Sequence, residues 1–336
     1  MIDLLVVGGG PAGLATAIHA ARAGLDVAVA EPRPGPIDKA CGEGLMPGAV
    51  HALADLGVTI SGHPIQGIRY LDRRHRAEAL FRGSPGRGLR RTELHAALTR
   101  RATELGVRVL PLRAGAVRQD RLGVSAAGIT ARYLAAADGL HSPIRRQLAL
   151  DRPDPRPPRY GLRRHFTVTP WTDCVEVHWS PHAEAYVTPL ATDLVGVAIL
   201  TGERGSFEDH LAHFPALASR LSRAATTVRG AGPLRQRVHR RTAGRVLLVG
   251  DAAGYIDAVT GEGVSLALAC AAELVRCVRA DRPQAYEQAW LRVSRRHRVL
   301  TEALVWARHR PRLASGIVPA AARLPGLFTV LVNQLT

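Results

Sequence analysis

The chain opens on a short apolar run, Ile2 to Val7, closed by glycines; small residues at helical spacing follow over Pro11 to Ala23, and a second apolar run, Leu25 to Ala30, ends at Glu31. Short apolar runs on either side of a helical stretch predict strand, helix and strand, the unit of a parallel sheet. Helical spacing returns over Ala49 to Leu56 and over Thr92 to Leu105, where Leu94, Leu98, Ala102 and Leu105 share a face. A meander of strands is expected over Val107 to Ala136, its last strand running into Asp138-Gly139. The segment DRPDPRPPR, Asp151 to Arg159, is too rich in proline for regular structure and reads as a crossing between lobes. Beyond it the texture changes. Tyr160, Phe166, Trp171, Trp179 and Tyr186 lie on segments that alternate as strands do. An apolar strand, Arg245 to Val249, then runs into Gly250-Asp251 and is followed by a helix from about Gly263 to Ala280. Arg-rich helices fill Gln284 to Arg308, and the tail from Leu313 is apolar and broken by prolines.

This order predicts an α/β protein with two interleaved lobes. Residues 1–150 and 234–280 are expected to form one discontinuous Rossmann-type domain, 151–233 a second lobe on an antiparallel sheet, and 281–336 a set of C-terminal helices. With 336 residues and 46% hydrophobic content, the chain can bury cores for both lobes. The N-terminus runs directly into a strand with no basic leader, and no apolar stretch reaches the roughly 18 to 20 residues of a membrane span. A soluble, cytoplasmic protein is therefore expected. Cys41, Cys174, Cys270 and Cys277 lack metal-ligand spacing, and the histidines are not expected to cluster as ligands, so no metal site is expected.

The net charge of +17 invites a nucleic-acid reading. Of the 45 cationic residues, however, Lys39 is the one lysine, and the arginines are scattered through most segments without a recognition-helix, zinc-finger or RNP pattern. The basic balance reflects coding bias, and no nucleic-acid partner is expected.

Gly8-x-Gly10-x-x-Gly13 lies between a predicted strand and helix, and Glu31 follows Gly13 by eighteen residues at the end of the second strand. In that context Gly8 permits a tight turn, Gly10 lets backbone approach a pyrophosphate, Gly13 allows close packing, and Glu31 can accept from a ribose diol. The turn alone does not separate NAD from FAD.

The segment RVLLVGDAAGYIDAVTGEG, Arg245 to Gly263, resembles the flavin-contacting motif of the para-hydroxybenzoate-hydroxylase type of flavoproteins. The resemblance implies FAD, with Asp251 on a ribityl hydroxyl and with Gly261, Gly263 and Val264 opening a helix toward the isoalloxazine. ADGLHSPIRR looks like the third dinucleotide motif of that family, which would put Asp138 and Gly139 on the flavin chain, with Ser142 and Arg145 holding their turn. Arg91 matches an arginine that contacts the cofactor in many relatives. Within the superfamily, DKACGEGL, Asp38 to Leu45, together with TGEG, Thr260 to Gly263, resembles the geranylgeranyl-reductase-like branch, whose members reduce isoprenoid double bonds. Gly254 stands where the hydroxylase branch usually carries a histidine. The fragment Tyr186-Val-Thr-Pro189 and the short C-terminal part depart from many reductases of that branch.

Candidate catalytic residues are Cys41, Glu43 and Tyr186, with Lys39 a site where a compact ammonium matters. Strands around Val175 to Trp179 and Tyr186 to Ile199 are expected to roof the flavin's reactive face. One strand–GxGxxG–helix unit leaves no second dinucleotide domain, so NADH or NADPH is expected to visit transiently, or a separate donor to serve. Reduction of a carbon–carbon double bond in an apolar isoprenoid or polyketide-like substrate is the favoured reaction; flavin-dependent hydroxylation or epoxidation is the alternative, and a non-enzymatic flavin-binding partner protein a third. Arg292, Arg295, Arg296, Arg298, Arg308, Arg310 and Arg312 precede the tail LFTVLVNQL, an arrangement that suits peripheral contact with a membrane.

Overall fold

The computed structural model describes residues 1–334. Ile2–Val7 is the centre of the first sheet, with Ile129–Ala136 and then Val246–Leu248 on one side and Val27–Ala30 and Arg108–Leu110 on the other, all parallel. Leu4, Leu5 and Val6 are wholly buried, as a strand covered on both faces requires. Helix Pro11–Arg22 packs on the sheet, and Arg91–Glu104 and Gly263–Arg279 pack against that helix. Val246–Leu248 thus returns to the first sheet after the chain has crossed the second lobe.

The second sheet runs Arg223–Ala224, Tyr160–Thr167, Leu194–Thr201, Ala183–Ala191, Cys174–Trp179, Gly67–Leu71, Arg76–Leu80. It draws two strands from outside residues 151–233: Gly67–Leu71 pairs with Cys174–Trp179 in parallel, and Arg76–Leu80 follows antiparallel. Period-two alternation gives the sheet two faces. Ala185, Val187, Val195, Val197 and Ile199 point into a core closed by Phe207, Phe214 and Leu217. Tyr186, Thr188, Ala198 and Leu200, their neighbours along the same strands, face a large cavity, joined by Val175, Val177, Ile68 and Tyr70.

The C-terminal residues divide their work. The helix Ala285–Arg308 lies on Gly263–Arg279, whereas Ile317–Arg323 and Pro325–Gln334 lie on Arg76–Leu80. Phe328 meets Tyr70 at 4.8 Å between ring centroids, and the Asn333 amide accepts from the Arg82 N–H and donates to the Leu80 carbonyl. That bridge satisfies backbone groups where the outer strand of the sheet ends. Among the described residues no single helix is long and apolar enough to cross a membrane; Pro311–Arg323 and Pro325–Gln334 pass such a test only together, across a 104° bend.

Candidate flavin site

The glycine turn is built as its spacing predicts. Gly8 has φ +105°, and a Cβ on Gly13 would lie 1.9 Å from the Gly8 carbonyl oxygen, so neither position admits a side chain. A Cβ on Gly10 would meet nothing within 4 Å. Gly10, Pro11 and Ala12 face the cavity, with the unpaired N–H groups and positive dipole end of Pro11–Arg22 behind them. The fold itself therefore does not require a glycine at this position. Glu31 is buried and holds the turn from below: it accepts from the Gly9 N–H at 2.9 Å and from the Arg33 backbone and guanidinium. Burial raises its pKa, but the Arg33 and Gly9 bonds outweigh this and hold the carboxyl at about 2. Four donors already occupy the carboxylate, so a ribose diol would have to compete with Arg33 for it.

The second cofactor-facing segment enters where Val246–Leu248 ends. Gly250–Ala253 forms a tight turn that brings Asp251 into the cavity wall, where its carboxylate has no hydrogen bond to the protein among the described residues. Burial raises its pKa against the pull of Arg91, Lys39 and Arg145. Arg145 is 1% exposed. Its guanidinium joins Asp151, the Leu140, Asp251 and Ala252 carbonyls and Gln236, so it locks the Asp138 turn to the Asp251 turn. Asp138 is spent locally: it accepts from the Ser142 hydroxyl at 2.6 Å and from the Ile144 N–H at 3.0 Å, and so caps Pro143–Gln147. Asp138 lines the cavity all the same, and Gly139, at φ +87°, keeps backbone open beside the Lys39 ammonium. Arg91 begins its helix at the cavity wall, and its Nε is buried without a partner. Gly261, Gly263 and Val264 line the same wall at the N-terminus of Gly263–Arg279.

The cavity measures about 960 Å³ and runs from Gly10 to the second sheet. At its centre stand the three catalytic candidates. Cys41 is a free thiol whose Sγ accepts from the Glu43 N–H. Glu43 adopts φ +60°, uncommon for a residue with a side chain, and is held there by bonds from the Arg91 N–H at 2.8 Å and to His165 Nε2 at 2.6 Å. His165 is fully buried, with Nδ1 against Thr226 and Arg163; Arg163 in turn bonds Asp38 and the Lys39 carbonyl. Sequence reading found Glu43 but missed His165 and Arg163, which alternate along Tyr160–Thr167 without any local motif. Tyr186 lines the cavity, yet its hydroxyl donates to the Val259 carbonyl at 3.0 Å, and burial keeps its pKa well above the usual phenol range. It ties the TGEG turn to the sheet and is a poor proton donor.

One expectation is corrected here. His182, Glu203 and His213 are scattered in sequence, but folding brings their ligating atoms within 4.8 Å of one another at the surface, with the two imidazoles stacked at 4.6 Å. The histidines do cluster, because turns and short helices beyond the second sheet meet there.

The model of the FAD binding domain family matches residues 1–281. The chain belongs to that family. The flavoprotein is 31% identical over 303 residues to a menaquinone reductase of Mycobacterium tuberculosis, covering 79% of this chain and 74% of the relative. It is 29% identical to digeranylgeranylglycerophospholipid reductase 1 of Methanopyrus kandleri, covering 80% and 78%. Among solved structures, a flavoprotein/dehydrogenase from Cytophaga hutchinsonii superposes with a TM-score of 0.85 at 17% identity, over 99% and 93% of the two chains. The flavin-dependent brominase Bmp2 gives 0.84 at 16% identity, over 99% and 93%. At such identities the solved structures establish the fold alone.

The residues present fit FAD. Gly10 opens onto space a Cβ would fill, Asp251 is a carboxylate without a protein donor, and Arg91 Nε is buried and unpartnered. The turn from Gly8 to Gly13 would hold the pyrophosphate, Asp251 a ribityl hydroxyl, and the N–H groups at Gly263 and Val264 the electron-rich end of the ring.

Proposed function

We propose that this flavoprotein is a reductase that takes electrons from NADH or NADPH and saturates a carbon–carbon double bond of an apolar isoprenoid or polyketide-like substrate. FAD, when bound, supplies the two-electron step. The observation that carries the reading is the cavity's composition: Ile68, Tyr70, Val175, Val177, Leu200 and Val332 form an apolar wall, and a buried carboxylate–imidazole pair, Glu43–His165, stands beside it. An apolar wall binds a hydrocarbon chain and excludes water. The close carboxylate–imidazole pair holds a proton at Glu43 Oε2 or His165 Nε2, with Glu43 on the cavity surface. Tyr186 and Thr188 fix the surrounding loops, through Val259 and Gly42, and thereby shape the wall. The names of the two curated relatives, both reductases and one of a digeranylgeranyl lipid, support the same choice.

The substrate is proposed to reach the cavity from a membrane surface, past the C-terminal helices. Val332 lines the cavity while Leu324, Leu327, Val330 and Leu331, on and just before the same helix, are exposed.

The deciding experiment is anaerobic. Holoenzyme bleached with NADPH or NADH is mixed with candidate alkenes, and mass spectrometry reads the product. Return of flavin colour without oxygen, with a product two hydrogens heavier, is expected. A turnover that requires oxygen and adds an oxygen atom would overturn the reductase reading in favour of hydroxylation or epoxidation.

A further inference from the structure

Behind the Asp251 turn lies a second cavity of about 390 Å³, between Gly250–Ala253, the first turns of Gly263–Arg279 and the helix Ala285–Arg308. Arginine is common throughout the chain, so presence alone means little. Its density here does carry weight: six of the 21 lining residues are arginine, about twice the share among all 336, whereas Asp251 and Glu302 are the only acidic ones.

The surrounding carboxylates do not balance the charge. Asp154 and Glu302 pair with Arg156 and Arg235, and Glu287 pairs with Arg241. Arg237 donates only to the Pro153 carbonyl, at 3.1 Å. The guanidinium groups of Arg152 and Arg298 have no hydrogen bond or ion pair among the described residues, and Arg235 Nη1 is buried without a partner. Arg298 leans on the Trp290 ring, 5.6 Å from its centroid, with Arg241 over the same ring at 3.9 Å. Burial and the neighbouring Arg241 lower the Arg298 pKa, and the more distant charges of Glu302 and Glu287 offset this only in part. Guanidinium groups left unpaired around a partly enclosed space suit phosphate, whose oxygens accept the forked N–H pairs.

We propose that this cavity binds the phosphate of a phosphate-bearing organic ligand directly behind the cofactor turn. Gly250, Asp251, Tyr255 and Gly263 line both cavities, so a ligand held by its phosphate in the smaller one lies against the flavin-holding wall of the larger. The Asp251 carboxylate opposes an anion, but three unpaired or weakly paired arginines outweigh it. The choice of ligand rests on the reductase reading, which supplies two sources of the same chemistry: the nicotinamide dinucleotide donor and the head group of an isoprenyl diphosphate.

The test uses FAD-loaded enzyme, so that the flavin's own pyrophosphate site is filled. Calorimetric titrations with pyrophosphate, 2′,5′-ADP, NADPH and an isoprenyl diphosphate are compared between the parent and the Arg152→Met and Arg298→Met variants, each checked by thermal melting and FAD absorbance. Saturable, salt-sensitive binding is expected, weakened about tenfold or more in each variant as a charge-assisted bond is lost. Weakened NADPH and 2′,5′-ADP identify the electron donor; weakened isoprenyl diphosphate alone identifies a substrate head group, and both uphold the site. No saturable binding of any of the four at low salt, or equal affinity in parent and both variants, overturns it. Flavin bleaching by NADPH that is indifferent to both variants also removes the site as a donor subsite while leaving the reductase reading in place. Conversely, phosphate binding lost in the variants of an enzyme that reduces no alkene keeps the site and removes that reading.

Discussion

Gly10 and Gly13 sit three residues apart in one turn and should fail differently when given a side chain. Gly13→Ala places a methyl carbon against the Gly8 carbonyl, a clash between backbone segments, and is expected to lower the melting temperature sharply or abolish soluble expression. The Cβ of Gly10→Val meets no protein atom within 4 Å, and the variant should yield folded protein without yellow colour, because the added bulk stands where the pyrophosphate is expected to approach. A fully yellow Gly10→Val protein would place the pyrophosphate elsewhere. Asp251→Ala removes an acceptor that no protein donor uses, so FAD affinity should fall by about 1–3 kcal/mol with the melting temperature of the apoprotein unchanged. Equilibrium titration of apoprotein with FAD reads this directly. These roles were legible because each is set within a few residues of its own motif. The Glu43–His165 pair was not: its partners are 122 residues apart, and no motif around His165 announces a buried imidazole. Acid sensitivity also belongs to single residues. Burial raises the Glu176 pKa, but bonds from His178, Trp171 and Arg69 hold it at about 2. Its stabilisation is therefore present above the ordinary value of 4.5 and is lost as pH falls toward 2. Glu176→Gln should lower the melting temperature at neutral pH and flatten its decline between those limits, measured by scanning calorimetry across pH.

Elements are joined here by buried charge as much as by apolar contact. Glu184, wholly buried on the strand Ala183–Ala191, bonds Arg159 at 2.7 Å and also pairs with Arg308 at the end of the helix Ala285–Arg308; Arg159 turns its other side to Asp257 at 2.9 Å. The cluster pins the second sheet to the C-terminal helix and to the segment leading into the TGEG turn. Glu184→Ala removes the carboxylate that Arg159 and Arg308 share, leaving Arg159 to Asp257 and Arg308 to the Pro181 carbonyl, and should cost about 3–5 kcal/mol in urea unfolding, the usual penalty for breaking a buried pair from one side. A loss within about 1 kcal/mol, typical of an exposed pair, would show that water reaches the cluster. The strands of the second sheet were readable from their alternation, since Ala185 and Val187 point one way and Tyr186 and Thr188 the other. The two strands at its far end were not. Gly67–Leu71 joins Cys174–Trp179 by parallel pairing between residues 107 apart, such as Arg69 and Glu176, and Arg76–Leu80 carries Arg and Glu between alanines rather than an apolar stripe. Long-range pairing leaves no local signature in strands this short.

At the scale of the molecule, the tail has a buried face and an exposed one. Phe328 and Val332 are buried against the second sheet, and Val332 reaches the large cavity, whereas Leu327 and Leu331 on Pro325–Gln334 are 54% and 41% exposed. Leu324 and Val330 extend that outer face, and Arg310, Arg312 and Arg323 lie on the adjoining segments of a chain whose net charge is +17. Each leucine buried in an acyl layer contributes about 1.5–3 kcal/mol, and each basic residue near an anionic surface about 1 kcal/mol. Two leucines with two or three arginines are thus enough for reversible contact and far too little for insertion. The flavoprotein is expected to co-sediment with anionic vesicles at low salt and to be released as salt screens the arginines. Replacing both Leu327 and Leu331 by Ser should weaken that binding about tenfold or more while FAD content and melting temperature stay near the parent's, since neither side chain supports the core. Undiminished binding in the double variant would assign the contact to charge alone and close this face as the route to the cavity. Absence of binding by the parent at low salt would mean that the apolar substrate arrives by another carrier.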